Sequence, residues 1–283
     1  MLVFVRNLAR LPVMNDSHPP APLPDSPPNE EATVKQGKCR LDQLLMQRGL
    51  VESRTQAQAM IMAGQVQVAG QVVTKAGHPV STGMAVELKQ PPYPWVSRGG
   101  LKLVQAIEEF GLNPSGAVAV DIGSSTGGFT DVLLSHGAER VYAVDVGQNQ
   151  LAWRLRQDPR VLVREGVNAR YLTTDVVPEP FDWLVADVSF IGLRVALPAA
   201  LTMLNPGGQV VALIKPQFEL SPKEVAKGGV VRDPALRQKA VDTVVDWFEN
   251  FTVDGRRFTL QGTVASPILG PAGNQEFLLV GKF

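Results

Sequence analysis

The sequence predicts an α/β fold over residues 98–283, a mainly parallel sheet with helices on both faces, preceded by a small α+β domain over residues 38–90. A strand, a glycine-rich loop, a helix and a second strand follow one another over residues 117–145, which is the order of a βαβ unit. Further along, charged residues end two more apolar strands. Before residue 98 the apolar periodicity is instead that of two short helices and a hairpin.

The composition is that of a protein with a sizeable core. With 283 residues and 45% hydrophobic content, the chain can form one large or two unequal domains. No run approaches the roughly 20 apolar residues of a membrane span, and the single cysteine, Cys39, excludes an internal disulfide. We therefore expect a cytoplasmic protein without membrane contact. The histidines at 18, 78 and 136 lack ligand spacing, so no metal is expected, and no obligate protein partner is evident.

Charge is unevenly distributed along a chain whose formal net charge is zero. Residues 38–102 contain eight basic and three acidic residues, whereas residues 103–283 contain sixteen basic and twenty acidic ones. A basic module attached to a mildly acidic body is typical of a polyanion-binding domain carried by an enzyme. The same balance also occurs on ordinary solvated surfaces, so charge alone leaves nucleic-acid binding open.

Residues 1–37 form a proline-rich segment that we expect to be disordered. Seven prolines lie between residues 12 and 36 with little apolar content, and such a composition cannot offset chain entropy by burial. The first eleven residues are apolar with two arginines, which leaves a short targeting segment open. They are too short for a signal peptide with a cleavage site, so a plain extension or a start at Met14 is favoured.

The small domain begins with a helical pattern. Leucines within residues 41–45 share one face of a helix that Gly49 ends, and Ser53 is a candidate N-cap for a second helix over residues 54–63, ended by Gly64. Two alternating strands then flank a two-residue turn, Ala69-Gly70, as in a β-hairpin. The unit is therefore helix, helix, hairpin.

This unit resembles the S4-type RNA-binding domain over residues 38–86. The shared pattern is RLD, GL, SR, a helix and then G-x-V-x-V-x-G, with Ala69 where that family usually has Asn in the turn. The resemblance implies an RNA-binding face made of basic side chains, although these could also only solvate helix surfaces. The candidate RNA-binding residues are Lys38, Arg40, Arg48, Arg54, Lys75 and, just after a proline-punctuated linker over residues 91–97, Arg98.

The strongest signal is the loop DIGSSTGGFTD at residues 121–131, followed by a helix to His136 and a strand that ends at Asp145. Glycines permit a tight turn, and an acid about twenty residues further on is placed to bind a ribose diol. Neither the dinucleotide fingerprint nor the phosphate loop is present. The loop is instead similar to that of Rossmann-like class I S-adenosylmethionine (SAM)-dependent methyltransferases, and its GGF variant resembles FtsJ-type RNA ribose methyltransferases.

The resemblance implies S-adenosyl-L-methionine as the cofactor. SAM has no pyrophosphate to seat on a helix, but its amino group needs a nearby acid, for which Asp121 is the candidate. Asp145 is expected to bind the ribose hydroxyls, and Asn168 to approach the adenine. The candidate cofactor-binding residues are Asp121, Gly123, Ser124, Gly127, Gly128, Phe129, Asp145, Asn168 and Asp187.

Four charged residues at segment ends form the candidate catalytic set: Lys102, Asp187, Lys215 and Glu276. Each alone could be a cap or a surface residue, but charged groups at the carboxyl ends of buried strands lie where α/β sheets place their chemistry. In order, they match the Lys-Asp-Lys-Glu tetrad of FtsJ-type ribose 2′-O-methyltransferases, and the resemblance assigns Lys215 as the base. A lysine acts as a base only when neutral, a form that a second ammonium favours and a carboxylate disfavours.

Other methyl acceptors fit the residues less well. Methylation at cytosine C5 needs a cysteine nucleophile, and Cys39 lies in the other domain. Methylation of an exocyclic amine would use Asp/Asn-Pro-Pro-aromatic after the fourth strand, where residues 187–190 read Asp-Val-Ser-Phe. The Pro-Pro-Tyr at residues 91–93 lies upstream of the cofactor loop and is a rigid spacer. A ribose hydroxyl is therefore the favoured acceptor.

Beyond residue 37 the motifs WVSRGGLKL, DIGSSTGGFTD, ADVSFI, IKPQFE, KGGVVRD and NQEFLL look like those of the hemolysin A (TlyA) family of ribosomal RNA methyltransferases. That family implies methylation of a cytidine ribose, with ribosomal RNA or a ribosomal subunit as partner. Two alternatives remain, an RNA-binding ribosome-assembly factor without catalysis and, less favoured, a membrane-lysing hemolysin. The basic stretch at residues 216–233 is either a substrate-side loop or a surface connection, and a helix is expected over 234–250.

Overall fold

The computed structural model describes residues 37–51, 54–89 and 93–283. They form two compact units, one ending at Lys89 and the other beginning at Tyr93. The predicted disordered tail up to residue 36, the candidate cap Ser53, residue 90 and residues 91–92 of the predicted linker lie outside the described residues.

The smaller unit contains the predicted helices and hairpin together with three short strands that the sequence did not indicate. Its elements are β1 (Lys38–Arg40), α1 (Leu41–Gln47), α2 (Arg54–Met62), β2 (Val66–Val68), β3 (Gln71–Val72), β4 (Pro79–Ser81) and β5 (Val86–Leu88). Strand β2 pairs with both β3 and β5, and β1 pairs with β4. The buried core is apolar, with Leu41, Leu45, Ala57, Ile61 and Val66 fully covered.

The hairpin turn between β2 and β3 has an unusual first residue. Both Ala69 (φ 48°) and Gly70 (φ 79°) have left-handed backbone conformations, as a two-residue hairpin turn of type I′ requires. Glycine adopts this region freely, whereas a residue with a Cβ is strained there. Ala69 therefore keeps the predicted turn at a conformational cost.

The larger unit is a sheet between two layers of helices. Its strands are β6 (Val118–Ile122), β7 (Arg140–Asp145), β8 (Val161–Glu165), β9 (Phe181–Ala186), β10 (Leu204–Ile214), β11 (Thr252–Val253), β12 (Arg256–Arg257), β13 (Thr259–Ala265) and β14 (Phe277–Lys282). Within residues 93–283, seven of them form one sheet in the order β13-β14-β10-β9-β6-β7-β8. Strands β10, β9, β6, β7 and β8 are parallel, and β14 is antiparallel to both of its neighbours.

The helices cover both faces of this sheet. They are α3 (Gly100–Phe110), α4 (Gly128–Ser135), α5 (Trp153–Arg156), α6 (Leu193–Ala196), α7 (Pro198–Leu201), α8 (Pro216–Glu219) and α9 (Pro234–Asn250), with a 3₁₀ turn at Ala169–Tyr171. Helices α3, α4 and α5 pack on one face and α6, α7 and α9 on the other. The predicted fold class is confirmed.

Alternation along the strands explains the two layers. In β6, Val120 and Ile122 point into one apolar cluster, while Ala119 points into the other, because successive strand residues face opposite sides. Helix α9 has the predicted bounds, and Asp233 caps it by accepting a hydrogen bond from the Ala235 amide at 2.9 Å. The basic stretch before it, predicted as a loop, begins with the short helix α8.

Strand register brings the functional segments to one edge of the sheet. Ile122 lies beside both Val144 and Ala186 at the carboxyl ends of β6, β7 and β9. At the end of β10, Ile214 pairs with Phe277, the first residue of β14. Residues that follow the parallel strands and the residue that precedes β14 therefore meet at this edge.

Candidate active site

Two adjoining cavities open at the carboxyl edge of the sheet. One has a volume of about 350 Å³ and the other about 210 Å³, and both are bounded by the loop after β6 and the segment after β9. Residues common to both cavities are Gly123, Ser125, Asp187 and Ser189. Together they make an elongated groove of the size that small-molecule sites occupy.

The glycines of the predicted cofactor loop are required by their protein neighbours. Gly123 (φ 79°) and Gly127 (φ 96°) have left-handed backbones. A Cβ at Gly123 would lie 2.7 Å from the Asp187 carbonyl oxygen, and one at Gly127 or Gly128 would overlap Leu155 or the Ser97 hydroxyl. Glycine thus lets the loop pack against the segment after β9, α5 and the residues before α3. Packing of the loop is therefore enough to require glycine at these positions.

Asp121 is a buried carboxylate with one oxygen left for a ligand. Its Oδ2 accepts hydrogen bonds from the Thr130 amide at 2.9 Å and the Thr130 hydroxyl at 2.6 Å. Its Oδ1 is buried and accepts no hydrogen bond from the described residues. Burial, with a further contribution from Asp187, raises the pKa of Asp121 to about 7. A bound ammonium group beside Oδ1 would satisfy this oxygen and stabilise the charged form.

Asp145 and Asn168 line the larger cavity, as the sequence predicts for residues near an adenosine. Asp145 Oδ2 accepts a hydrogen bond from the Ser125 amide at 2.8 Å, and Oδ1 accepts one from Gly147 at 2.6 Å. Asn168 caps the 3₁₀ turn by accepting from the Arg170 amide at 3.1 Å. Each oxygen of Asp145 is thus oriented by a backbone amide.

Ser124 and Phe129, two further cofactor candidates, border the smaller cavity. Ser124 is buried, and its backbone amide donates to the Val144 carbonyl at 3.2 Å, which ties the loop to the end of β7. Phe129 belongs to the apolar core on the α4 face of the sheet. Both fix the shape of the loop.

The four candidate catalytic residues form one continuous chain of ion pairs. Glu276 Oε2 lies 2.7 Å from Lys102 Nζ, which lies 3.2 Å from Asp187 Oδ2, and Asp187 Oδ1 lies 2.6 Å from Lys215 Nζ. Lys102, Lys215 and Glu276 are each at least nine-tenths buried, whereas the Asp187 side chain is 21% exposed. Lys102, Asp187 and Lys215 line the smaller cavity.

In this chain two lysine side chains alternate with two carboxyl side chains. Buried charges are tolerated when each is paired with an opposite one. Asp187 bridges both lysines and belongs to both cavities. The arrangement therefore holds charged groups in a cavity wall beside the groove.

Ser189 is a site residue that the sequence analysis missed. Lys215 Nζ donates a hydrogen bond to Ser189 Oγ at 2.8 Å, and Ser189 borders both cavities. The signal was present in Asp-Val-Ser-Phe at residues 187–190, which was read only for its lack of a proline pair. Lys215 is thus held by two acceptors from the segment after β9.

Three of the candidate RNA-binding arginines make contacts inside the smaller unit. Arg40 and Arg54 donate to the fully buried carboxylate of Asp42 at 2.8 and 3.1 Å. The Arg40 hydrogen bond is the largest of the effects that hold the pKa of Asp42 far below its usual range. Arg48 donates to the carbonyls of Thr82 and Met84, both at 2.8 Å. These arginines organise the unit, and each keeps an exposed side.

The remaining candidates, Lys38 and Lys75 in the smaller unit and Arg98 in the larger one, are exposed. Arg98 lies just before α3. Trp95 and Val96, placed by the sequence in the linker, pack on the larger unit, where the Val96 amide donates to Asp131 Oδ2 at 2.7 Å.

Neither a spanning helix nor a metal-binding cluster is found in the part of the chain that the structure describes. None of its helices combines the length and the apolar content that crossing a membrane requires. No group of three or more His, Cys, Asp or Glu side chains there is arranged to hold a metal ion.

Comparison with known families assigns both units. Residues 95–283 match the family model of the FtsJ-like methyltransferase, and residues 39–86 match that of the S4 domain. The family match covers more than half of the chain.

Individual relatives match over most of their length. The chain is 43% identical to the 16S/23S rRNA (cytidine-2′-O)-methyltransferase TlyA of Mycobacterium tuberculosis, over 86% of this chain and 89% of that protein. It is 40% identical to hemolysin A of Brachyspira hyodysenteriae, over 84% and 98%. A solved structure from Streptococcus thermophilus, described as a candidate hemolysin, superimposes with a TM-score of 0.65 at 43% identity, covering 87% of this chain and 88% of the other. The chain therefore belongs to the FtsJ-like methyltransferase family, in the group that contains TlyA and hemolysin A, and it carries an S4 domain ahead of the methyltransferase domain.

Proposed function

We propose that this protein transfers the methyl group of SAM to a ribose 2′-hydroxyl of ribosomal RNA, with cytidine as the target nucleotide. The observation that carries the proposal is the ion-pair chain from Glu276 through Lys102 and Asp187 to Lys215, which lies beside a nucleotide-sized groove. The named activity of the TlyA relative supports the same acceptor.

The groove fits SAM by the chemistry of its lining. Asp121 offers a buried carboxylate oxygen to the amino group, and Asp145 offers a carboxylate to the ribose diol. Asn168, with the apolar side chains of Val146 and Ile191, lines the part of the cavity suited to a purine ring. When bound, SAM supplies an electrophilic methyl group on a sulfonium.

Lys215 is the group we assign as the base. Lys215 Nζ would accept the proton of the ribose 2′-hydroxyl while the 2′-oxygen attacks the methyl group that bound SAM would supply, with the thioether as the leaving group. The contacts of Lys215 with Asp187 and Ser189 fix two directions around its nitrogen. The remaining direction is available to the substrate hydroxyl.

Lys102 and Glu276 act on Lys215 through Asp187 in this proposal. Because Lys102 Nζ contacts both carboxylates, it holds Asp187 in the position from which Asp187 contacts Lys215. Glu276 in turn pairs with the buried side chain of Lys102. Removing any one of the four would leave an unbalanced buried charge.

RNA capture is assigned to the smaller unit. The exposed sides of Arg40, Arg48 and Arg54, with Lys38 and Lys75, would contact phosphates, which accounts for affinity but not for the choice of nucleotide. Arg98, an exposed residue of the larger unit just before α3, is a further candidate phosphate contact. We also propose domain boundaries that assign residues 38–90 to the S4 domain, residues 91–97 to a linker and residues 98–283 to the methyltransferase domain.

The decisive test uses labelled SAM and ribosomal RNA in naked form and in each ribosomal subunit. We expect the wild type to label a ribose 2′-oxygen, mapped by resistance to alkaline cleavage. Lys215→Ala should lower transfer by about 10²-fold or more, the usual contribution of a general base, while SAM affinity measured by calorimetry stays within about threefold, because the base acts on the acceptor and not on SAM.

Lys239→Ala is the matched control, because Lys239 is an exposed lysine of α9 paired with Glu224. Full turnover by Lys215→Ala would contradict the mechanism. RNA binding without any label from the wild type would instead favour an assembly factor without catalysis, and leakage of liposomes without RNA or SAM would favour a lytic activity.

A further inference from the structure

A second buried acid lies close to the site without lining either cavity. Glu219 ends the short helix α8, which begins directly after Lys215. Its side chain is 2% exposed, and burial raises the pKa of its carboxyl. No step of the proposed reaction uses this group, so its burial needs another explanation.

Glu219 joins the segment after β10 to the segment after β9. Its Oε1 accepts a hydrogen bond from the Leu193 amide at 2.7 Å, at the start of α6. Arg194 Nη2 donates to the Glu219 backbone carbonyl at 3.3 Å, and its guanidinium lies 3.7 Å from Oε2. The rings of Phe218 and Phe190 contact each other, with centroids 5.4 Å apart. These contacts form what we call the clamp, residues 190–194 against residues 218–219.

Gly192 allows the two sides of the clamp to approach closely. A Cβ at this position would lie 2.9 Å from Glu219 Oε2 and 3.1 Å from the Phe218 carbonyl oxygen. Its own backbone angles, φ −75° and ψ 150°, suit any residue. Glycine is therefore needed here for space and not for conformation.

The segment that the clamp holds is strained and carries site residues. Phe190 has a φ of 66° and is 91% exposed, so its left-handed backbone is not stabilised by burial of its own side chain. Ser189, next to it, accepts the hydrogen bond of Lys215. A strained segment persists only where its surroundings hold it.

We propose that Glu219 is a positioning residue that holds Ser189 against Lys215 and thereby sets the rate of methyl transfer, without touching cofactor or RNA. The proposal rests on the proposed function for its effect on rate. Loss of the carboxylate would free the Leu193 amide and the strained turn, so that Lys215 keeps Asp187 but loses a fixed second acceptor.

The test compares Glu219→Ala, Glu219→Gln and Gly192→Ala in the full chain. Glu219→Ala should lower kcat about tenfold or more, because misplacement by about 1 Å at a reacting centre can cost on the order of 10²-fold. Glu219→Gln keeps an oxygen for the Leu193 amide and should retain kcat within about threefold. Gly192→Ala adds a methyl group and so leaves no cavity. It should displace the Glu219 carboxylate and lower kcat by an amount between the effects of the two Glu219 variants.

A double-mutant cycle separates positioning from general destabilisation. If Glu219 acts through Ser189, then Glu219→Ala combined with Ser189→Ala should be little worse than the more damaging single variant. Glu179→Ala is the control, since Glu179 accepts hydrogen bonds from Arg140 and Tyr142 away from this edge and should lower stability without lowering kcat. Additive losses, or equal losses for Glu219→Ala and Glu219→Gln, would overturn the proposal.

Hydrogen exchange provides a readout that does not depend on activity. Peptides covering residues 188–194 should exchange faster in Glu219→Ala than in the wild type or Glu219→Gln, because the Leu193 amide loses its acceptor. Unchanged exchange would rule out the clamp whether or not the protein methylates RNA. If the wild-type protein transferred no methyl group, the proposed function and the claimed effect on rate would both be wrong. Hydrogen exchange alone would then decide whether the clamp exists.

Discussion

The two units each bury one aspartate completely, and the two carboxyl groups have opposite properties. Asp42 in the smaller unit accepts hydrogen bonds from Arg40, Arg54 and Gln58, and the Arg40 guanidinium is the main reason that its pKa is lowered. Asp121 in the larger unit has only Thr130 as a donor among the described residues, and burial raises its pKa to about 7. Two carboxyl groups that are equally buried thus have pKa values shifted in opposite directions.

We infer that the difference separates a structural charge from one that binds a ligand. The smaller unit supplies every partner that its buried carboxylate needs, so the charge helps to fold the domain. The larger unit leaves an oxygen without a donor, which costs stability unless a ligand provides one. At Asp121, which lines the smaller cavity, the oxygen without a donor is therefore a more specific indication of a ligand than burial alone.

Removing the structural charge should have the largest effect. Asp42→Ala leaves two arginines and the half-buried amide of Gln58 without their acceptor, and we expect the smaller unit to lose about 2–4 kcal/mol of unfolding free energy. Because the folded pKa is lowered, the contribution of Asp42 is present above the unfolded pKa of about 3.9 and is lost as pH falls below it. Urea unfolding monitored for the smaller unit at pH 7 measures the loss. Glu87→Ala removes an exposed carboxylate of the same unit and is the control, and an equal midpoint for both variants would argue against the structural role.

Removing the carboxylate charge of Asp121 should weaken SAM binding and raise the stability of the free protein. Asp121→Asn is expected to weaken SAM binding by about 10- to 30-fold, since an amide attracts an ammonium less than a carboxylate does. Without SAM the variant should gain stability, by up to about 4 kcal/mol, because a shift from 3.8 to about 7 corresponds to that cost for the charged form.

The raised pKa of Asp121 determines how the stability difference between the variant and the wild type changes with pH. Since its folded pKa is raised, the destabilising effect is absent below the unfolded pKa of about 3.9 and is complete only above about 7. The stability of the variant relative to the wild type should therefore grow over that window. SAM affinity of the wild type should rise through the same window. A variant with unchanged SAM affinity at pH 8 would show that Oδ1 does not hold the amino group.

A smaller effect should come from two of the described residues that have a Cβ and a left-handed backbone, a conformation also found at Ser125, Asn149 and Asp254. Phe190 lies beside the active site, whereas Ala69 lies in a hairpin of the smaller unit. Ala69→Asn should stabilise that unit by about 0.5–1 kcal/mol, since Asn tolerates this conformation better than Ala. Thermal unfolding measures the gain, and methyl transfer should not change. Destabilisation by Asn would mean that the turn is held by contacts other than its backbone.

The sequence could predict those elements whose signals lie within a few neighbouring residues. The bounds of α9, the helix pair of the smaller unit and the loop after β6 follow from caps, glycines and periodicity, which act over a few residues. The three-residue strands β1, β4 and β5 carry no such signal. The pairing of β1 with β4 joins segments about forty residues apart, that of β2 with β5 joins segments about twenty residues apart, and both depend on the finished core.

The candidate site shows the same limit. Asp121 and Asp145 could be found from their spacing, whereas the grouping of Lys102 with Glu276 came from resemblance alone. Ser189 and Glu219 have no motif of their own, and their partners, Lys215 and Leu193, both lie 26 residues away in the chain. Tertiary contacts of this kind are set by the sheet, so only the structure could reveal them.

The ion-pair chain also links activity to the completeness of folding. Lys102 and Asp187 are 85 residues apart in sequence, and the other two members come from separate strands, so these contacts have high contact order. No early local structure can bring them together. A chain that collapsed without its full strand order would expose these lysines and acids to solvent. It would not hold Lys215 in place as the base. Methyl transfer thus reports on a correctly assembled sheet, and a misfolded molecule that still bound RNA would leave it unmodified.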